Sequence, residues 1–597
     1  MVVAFLEAQQ RFIFLFLSNL CKNQVLGCVE SMAEPLNISM IERQLCVERL
    51  ESPGSLGWLE SSYRDPLPFW QALKETHDSL LSWPGKSIPF GNYDFYHDII
   101  VRNQRNKAPA FRWHDSLLGW QEVSYAHLEA LVSRKEAVWL QSGVQPGQKV
   151  CIVLPVSVNY VVSLLAALKI GVIVSCLPPQ GNLFLQNRLE ALQPDHVVTE
   201  EMYLSLLSTW KENILPEEIA AEHTGADSEH SHSYPSGSIV SLSFDPSSEK
   251  VHEPVEVASD AAYLCPLRDG IIALGIRPGD TLAAPGSHFL ETQPGMLFAC
   301  LLNGGTYLHL ELDDIVENPE LLSGQQIRVM GVTRQLRDTL LQKPVKFGKP
   351  LYYWFRNPSE SHDIDLWQQF IETLELEETY SGNIKYDAAL GGCSLFSIKR
   401  QGQANLQVLP SAGVPWGLAD PAAGDVDSVG DYGAFSPSTL GGAEGEGTAV
   451  GSIIAKGHKE WLFVGSRVSG RAGRTYPRSE VLEAIRGLPE CAYCSIVEAP
   501  LFGSGGDPAF ALLLFIGGKT GVEQAAVRST ILIAIERGMG KEFFPDRIHF
   551  FPLYPRREGE ESVDHDWCRD QYLTGGLFRK SREETYLCLA QLRECLV

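Results

Sequence analysis

The chain has 597 residues, a formal net charge of −24, 44% hydrophobic residues and 20% charged residues. That length exceeds what one hydrophobic core organises, so two or three domains are expected. The acidic balance excludes a nucleic-acid binder, which needs a basic face, but leaves room for a nucleotide site built from a few local donors.

Phe12 to Leu17 (FIFLFL) is the strongest apolar run, yet it is far too short to span a bilayer. Glu7 and Arg11 precede it and no clear cleavage site follows, so it lacks a signal-peptide shape. A floppy leader, or a true start at Met32, is expected in a cytoplasmic protein without a membrane span. The thirteen cysteines show no pairing pattern beyond one C-x-x-C, Cys491 to Cys494. A zinc site would want a second ligand pair, so buried free thiols and no metal are expected.

Residues 33 to 90 mix short helices with turns, and Trp58, Phe69, Trp70 and Trp83 suggest an aromatic pad against the main body. Phe95 to Arg105 reads as helical. Ala108–Trp113 and Trp120–Val123 flank a turn and predict a hairpin. Ser124 caps the next helix, Tyr125 to Ser142. Val150–Pro155, Val172–Cys176 and His196–Thr199 are short apolar strands; Asn159–Ile170 and Leu183–Leu192 are the helices between them. Strand, helix, strand, helix, strand at this spacing is a parallel arrangement, and apolar runs without alternation suit strands covered on both faces.

Thr224 to Pro235 is polar and histidine-rich (His230, His232, with His223 beside it) and reads as a solvated link rather than a metal site. Ser238–Phe244 is a strand and Ser259–Leu274 a helix, closed by Gly275-Ile-Arg-Pro-Gly279. That repeats Gly143-Val-Gln-Pro-Gly147: helix, then G-[IV]-x-P-G, then strand. Further helix and strand steps follow to Leu374. Residues 381 to 425 are rich in loops and hairpins, and 440 to 451 form an acidic, glycine-heavy linker. Beyond a strand at Glu460–Gly465, residues 466 to 597 predict a small α+β domain. The fold class is thus α/β, divided as 1–60 leader and extension, 61–465 large domain and 466–597 small domain.

Several motifs together resemble the adenylate-forming (ANL) superfamily of acyl-CoA synthetases, adenylation domains and luciferases. They are Trp120 to Tyr125 with Leu128, Gly143 to Val150, Leu164 to Gly171, Gly275 to Asp280, Leu302 to Gly305, Ser411-Ala-Gly-Val-Pro415, and Glu480 to Glu483. The resemblance implies a large AMP-binding-like domain and a small domain that swings between two half-reactions. It implies ATP with magnesium, and CoA or phosphopantetheine as the thiol acceptor, for an active member.

The motifs that carry the chemistry are eroded. The family's glycine-rich phosphate loop aligns with Ser243 to Pro254, where the glycines are gone and Asp245, Glu249 and Glu253 stand; Ser247, Ser248 and Lys250 are what is left to touch a phosphate. The Y-G-x-T-E motif is nearest to Thr379–Asn383, which keeps Tyr380 and Gly382 without the glutamate. The hinge-proximal arginine corresponds to Arg467. The C-terminal catalytic lysine is replaced by Glu560, with Arg556 and Arg557 beside it. Losing one cation at such a site costs about 3 kcal/mol of transition-state stabilisation.

Three readings follow. The chain is a degenerate relative that binds an acyl ligand or partners an active synthetase or acyl-carrier protein. It is a transferase moving acyl groups between thiol carriers without ATP. Or it is a working ligase forming acyl-AMP and then a thioester. No G-x-S-x-G elbow or HExxH supports another chemistry.

Overall fold

The structure is a computed structural model that describes residues 57–81, 91–216, 231–347, 351–360, 363–404, 406–420, 424–425, 432–438, 440, 452–455, 461–466, 469–499, 508–515, 521–553, 555, 557–558 and 562–582. The Met1/Met32 question, Trp83, His223, His230, Arg467, Arg556, Glu560 and most of the acidic linker lie outside these.

The apolar runs form a five-stranded sheet. Its order is His196–Val198, Lys149–Val153, Ile173–Leu177, Ile239–Phe244, Pro254–Ala258. The first four are parallel and the last is antiparallel. Ser157 caps the helix Val158–Ile170, whose side chains are buried nearly all round, and Gly171 ends it in the left-handed conformation at φ 94°. This is why the run lacks an amphipathic pattern: it lies between sheets, not on a surface.

A second, eight-stranded sheet runs Arg400–Gln401, Tyr380–Asn383, Tyr353–Arg356, Val329–Gly331, Thr281–Ala283, Thr306–His309, Pro109–Asp115, Gly119–Ser124. The two G-[IV]-x-P-G turns play the same part in the two sheets. Gly147 N donates to Gly171 O and Gly279 N to Gly304 O, each at 2.9 Å, tying the turn before one strand to the turn before its neighbour. A third, antiparallel sheet of eight strands takes up the hairpin-rich residues 385 to 466.

Four elements differ from the sequence reading. The helix from Ser259 is α-helical only to Arg268; with Pro266 inside it, it continues as a π-helix over Asp269–Leu274. There Asp269 accepts from Cys393 N at 2.7 Å, while Arg268 donates to Cys393 O at 2.7 Å and Ala412 O at 3.1 Å. The widened turn joins the helix to the third sheet. The end of the histidine-rich link is ordered: Tyr234–Pro235 pairs with Asn92–Tyr93, and buried Tyr234 donates to Val172 O at 2.9 Å. Strands at Pro254–Ala258 and Arg547–Phe551 were not anticipated.

The aromatic pad forms as expected. Trp58, Phe69 and Trp70 are buried, and Trp70 Nε1 donates to Gly413 O at 3.0 Å. Gly413, at φ +75°, belongs to the S-A-G-V-P motif; a Cβ there would stand 2.6 Å from both the Phe69 and Trp70 rings. The motif is glycine because the pad presses on it.

The C-terminal block contains a three-stranded sheet, Cys494–Ala499, Ala509–Phe515 and Arg547–Phe551, with helices Arg478–Ile485 and Gly521–Gly538. It shares a hydrophobic core with the five-stranded sheet. Val153, Leu177, Phe184, Leu185 and Leu189 on one side form one cluster with Val481, Ile485, Phe510, Ile531 and Ile535 on the other. Among the described residues no helix is long and apolar enough to cross a membrane.

Candidate functional site between the sheets and the C-terminal block

Parallel sheets place their ligand sites beyond the carboxyl ends of the strands. Here that region holds the turn after Ile239–Phe244. The turn is closed on itself. Asp245 Oδ1 accepts from Ser247 N at 2.8 Å and from Ser247 Oγ at 2.7 Å. Ser248 N donates to Asp245 O, and Ser248 Oγ accepts from Lys250 N. Lys250 Nζ donates to Glu253 Oε2 at 3.0 Å, with both side chains more than half exposed. Ser247 Oγ and one Lys250 Nζ donor are thus engaged within the turn, Ser248 Oγ serves as an acceptor, and Lys250 sits at the surface.

The other candidates lie elsewhere. Tyr380 begins its strand and packs on Tyr352 at 5.3 Å between ring centroids, with Arg328 over the Tyr352 ring at 4.1 Å. That is the amino end of the parallel strands, opposite the turn. Gly382 is glycine because a Cβ would stand 2.4 Å from Tyr353 Oη. Ser247, Ser248 and Lys250 are therefore together, while Tyr380 and Gly382 belong to the packing of the second sheet. Arg557 lies in a two-residue strand, Arg557–Glu558, paired with Ser562–Val563. Asp564 caps the helix His565–Leu573 by accepting from Trp567 N at 2.8 Å. Among the described residues no group of three histidine, cysteine or acidic side chains could hold a metal; Cys491 and Cys494 are free.

What occupies the cleft instead is a hairpin of the C-terminal block, Gly470–Arg471 paired with Arg474–Thr475. Thr475 N donates to Pro246 O at 2.8 Å, docking the hairpin on the turn. Its tip is Gly473 at φ +81°, where a Cβ would stand 2.7 Å from Ser359 and 3.6 Å from Lys385 Nζ. Arg474 then reaches Glu291 Oε2 at 3.3 Å. Burial works against its charge, but Glu291, Glu542 and Glu360 together hold Arg474 protonated above its usual range.

The carboxylates around it are unequal. Burial pushes Glu360 up to about 7, against the Arg334 N–H at 2.6 Å and the charge of Arg474. Burial would also raise Glu542, yet His288, Gln180 and Arg474 bring it down to about 2. Burial and the neighbouring Asp245 push Asp387 up to about 6 despite Lys385. A cleft of about 70 Å³ remains between the helix Asn182–Leu192 and turn beside the five-stranded sheet and the C-terminal block, lined by Arg188, Arg471, Arg474, His288 and Glu542 with Phe184, Tyr476 and Phe543. A smaller cavity of about 20 Å³ lies on the other side of Glu291.

Sequence reasoning missed Glu291, Glu360, Arg474, Glu542, Asp387 and Lys385. The one available signal was local: Gly473-Arg474 six residues before the Glu480 motif, a glycine tip followed by a cation.

Residues 100–266 match a family model described as AMP-binding enzyme. No curated protein matches the chain. Among solved structures it is similar to an acetoacetyl-CoA synthetase from Streptomyces lividans, with 14% identity and TM-score 0.60 over 89% of this chain and 92% of that one. It is also similar to NpsA-ThdA, an artificially fused adenylation–PCP di-domain NRPS from Klebsiella oxytoca, with 10% identity and TM-score 0.59 over 77% of this chain and 94% of that one. The chain therefore has the fold of the adenylate-forming (ANL) superfamily, an α/β, acyl-CoA-synthetase-like AMP-binding architecture.

Proposed function

We propose that this protein keeps the acyl-CoA-synthetase-like fold but does not adenylate a carboxylate, and acts as a ligand-binding or non-catalytic partner of thioester metabolism. One observation carries the reading. The turn in the phosphate-loop position spends its donors on its own acids, Ser247 on Asp245 and Lys250 on Glu253. A polyphosphate there would have to displace these bonds and meet two carboxylates, so the charge that builds on an α-phosphate finds no prepared donors. Division into a large domain to 465 and a small domain from 466 belongs to the same reading, with the small domain docked through a shared core. ATP–pyrophosphate exchange with a panel of short and long carboxylic acids tests it. No exchange above the protein-free rate is expected; robust exchange with any acid overturns it.

A second reading, ATP-independent acyl transfer between thiol carriers, draws support from the cleft lined by Arg188, Arg471 and Arg474. Three guanidinium groups stand there beside aromatic rings, each paired with one carboxylate (Glu480, Asp546 and Glu291) that the phosphate of a carrier arm would have to displace or share. An adenylation–PCP fusion among the similar structures makes an acyl-carrier protein the natural partner to try. Transfer of a radiolabelled acyl group from acyl-CoA to a phosphopantetheinylated carrier without ATP would select this reading over the first.

A further inference from the structure

The sequence carries 73 acidic residues against 49 basic ones, yet one corner of the C-terminal block is basic. The helix His565–Leu573 ends at Thr574, Gly575 turns the backbone at φ +70°, and residues 576–582 continue as a helix. Leu573 and Phe578, 44% and 40% exposed, stand on either side of that turn. Phe578 is held from beneath. Its ring centroid lies 5.5 Å from His549, 5.3 Å from Phe551 and 5.7 Å from Tyr572. The outer part of the ring is therefore fixed at the surface rather than free to fold away.

Five cations flank these two apolar tips. Arg579, Lys580 and Arg582 are exposed on 576–582 itself. Arg547 and Arg528 come from the strand Arg547–Phe551 and the helix Gly521–Gly538, and both are exposed. Burial and then the charges of Arg547 and Arg528 hold the His549 imidazole below its usual range, which places both guanidinium groups around the ring that supports Phe578. Among the described residues none of the five pairs with a carboxylate. Arg528 donates to Ile548 O at 3.1 Å and lies 5.8 Å from the Phe550 ring centroid; Lys580 lies 5.2 Å from that of Trp567. The next cation along, Arg569, is already engaged with Asp566 and Asp570.

Unpaired cations around exposed apolar tips call for a partner that is anionic and apolar at once. The shape narrows the choice. A partner helix docks in a groove, whereas a helix–turn–helix corner with two tips is convex. A bilayer takes apolar side chains into the headgroup boundary while cations stay level with the lipid phosphates. The net charge of −24 does not forbid this, because charges further off than about 8 Å are largely screened at physiological ionic strength.

We propose that this corner is a docking surface for an anionic phospholipid bilayer, with Leu573 and Phe578 entering the headgroup boundary and Arg528, Arg547, Arg579, Lys580 and Arg582 meeting the lipid anions. The surface is independent of the nucleotide turn, so the outcome of pyrophosphate exchange leaves it untouched.

Flotation of the full chain with vesicles tests it. The chain should float with phosphatidylcholine vesicles rich in phosphatidylserine and stay behind with phosphatidylcholine alone. Salt at about 1 M, which shortens the reach of a charge to about 3 Å, should release it. Arg579→Gln/Lys580→Gln/Arg582→Gln should weaken vesicle binding about a hundredfold, at about a factor of five for each cation near the surface. Leu573→Ser/Phe578→Ser should weaken it by about tenfold or more, and Leu573→Ser alone serves if the loss of Phe578 unsettles the rings beneath it. Melting temperatures near that of the wild type identify the folded variants. The proposal is overturned by any of four results. These are no flotation with the phosphatidylserine vesicles, equal flotation with phosphatidylcholine, a folded charge variant that floats as the wild type does, or a folded apolar variant that does so. The last would mark the corner as a surface for a soluble acidic protein instead.

Discussion

Glu480→Ala is the perturbation that probes how the C-terminal block is held. Glu480 opens the helix Arg478–Ile485 and lies 3.3 Å from Arg188 Nη1 of the helix Asn182–Leu192, with side chains 7% and 2% exposed. Asn187 Nδ2 also donates to Glu480 Oε1 at 2.7 Å. Burial lowers the Arg188 pKa, and Glu480 opposes that shift. Removing the carboxylate leaves a buried guanidinium without its counter-charge, which costs about 3–5 kcal/mol. Two contacts soften the loss: Arg188 still donates to Phe184 O at 3.1 Å and still lies 3.7 Å from the Phe184 ring centroid. The expectation is therefore the lower end, about 3 kcal/mol. Urea unfolding followed by far-UV circular dichroism measures it. The double variant Arg188→Met/Glu480→Leu should recover most of the loss, because a well-packed apolar pair replaces a buried ion pair at little cost. A Glu480→Ala variant within about 1 kcal/mol of the wild type, or a double variant that costs the sum of the two single changes, would refute the reasoning.

Further outcomes follow from the same geometry. A Cβ at Gly181 would stand 2.1 Å from the backbone carbonyl carbon of Gly538, so Gly181→Ala should lower the melting temperature by several degrees, while Gly417→Ala, with nothing within 4 Å, should leave it nearly unchanged. Glu360 has a native pKa raised to about 7, above an unfolded value of about 4.3. The native state therefore holds the extra proton between roughly pH 4.3 and 7, and this contribution to stability is lost as pH rises through that window. Glu360→Gln should flatten the fall in melting temperature between about pH 5 and 7; an unchanged slope would count against it. Glu542, lowered to about 2, acts in the opposite sense, and Glu542→Gln should reduce the loss of stability on acidification below about pH 4.

The sequence made the first sheet legible because its strands are buried on both faces and its helices end at glycines with no alternative: Gly171 takes φ 94° and the G-[IV]-x-P-G turns need positive φ at both ends. Pro254–Ala258 escaped notice because it is an edge strand with only Val257 and Ala258 buried, so neither alternation nor an apolar run marks it. Arg547–Phe551 hid its single parallel pairing behind Arg547 and His549. The π-helical turn depends on Asp269 meeting Cys393, 124 positions away. The site divides the same way. The closed turn after Phe244 is local, its acids Asp245 and Glu253 bonded to Ser247 and Lys250 within a few residues. The Glu291–Arg474 pair joins residues 183 positions apart, and nothing in either neighbourhood names the other. Tyr380 and Gly382 matched a motif by letter, but their strand puts Tyr380 at the amino end and fills the space above Gly382 with Tyr353.

The central claim is the proposal that the turn Asp245 to Glu253 stands where a phosphate loop would and directs its Ser247 and Lys250 donors onto its own acids. Isothermal titration of the full chain with magnesium–ATP tests it most directly. The account predicts no saturable heat at millimolar nucleotide, with or without magnesium, and no change on Glu253→Ala beyond what the freed Lys250 supplies. Tight binding that requires magnesium would contradict it.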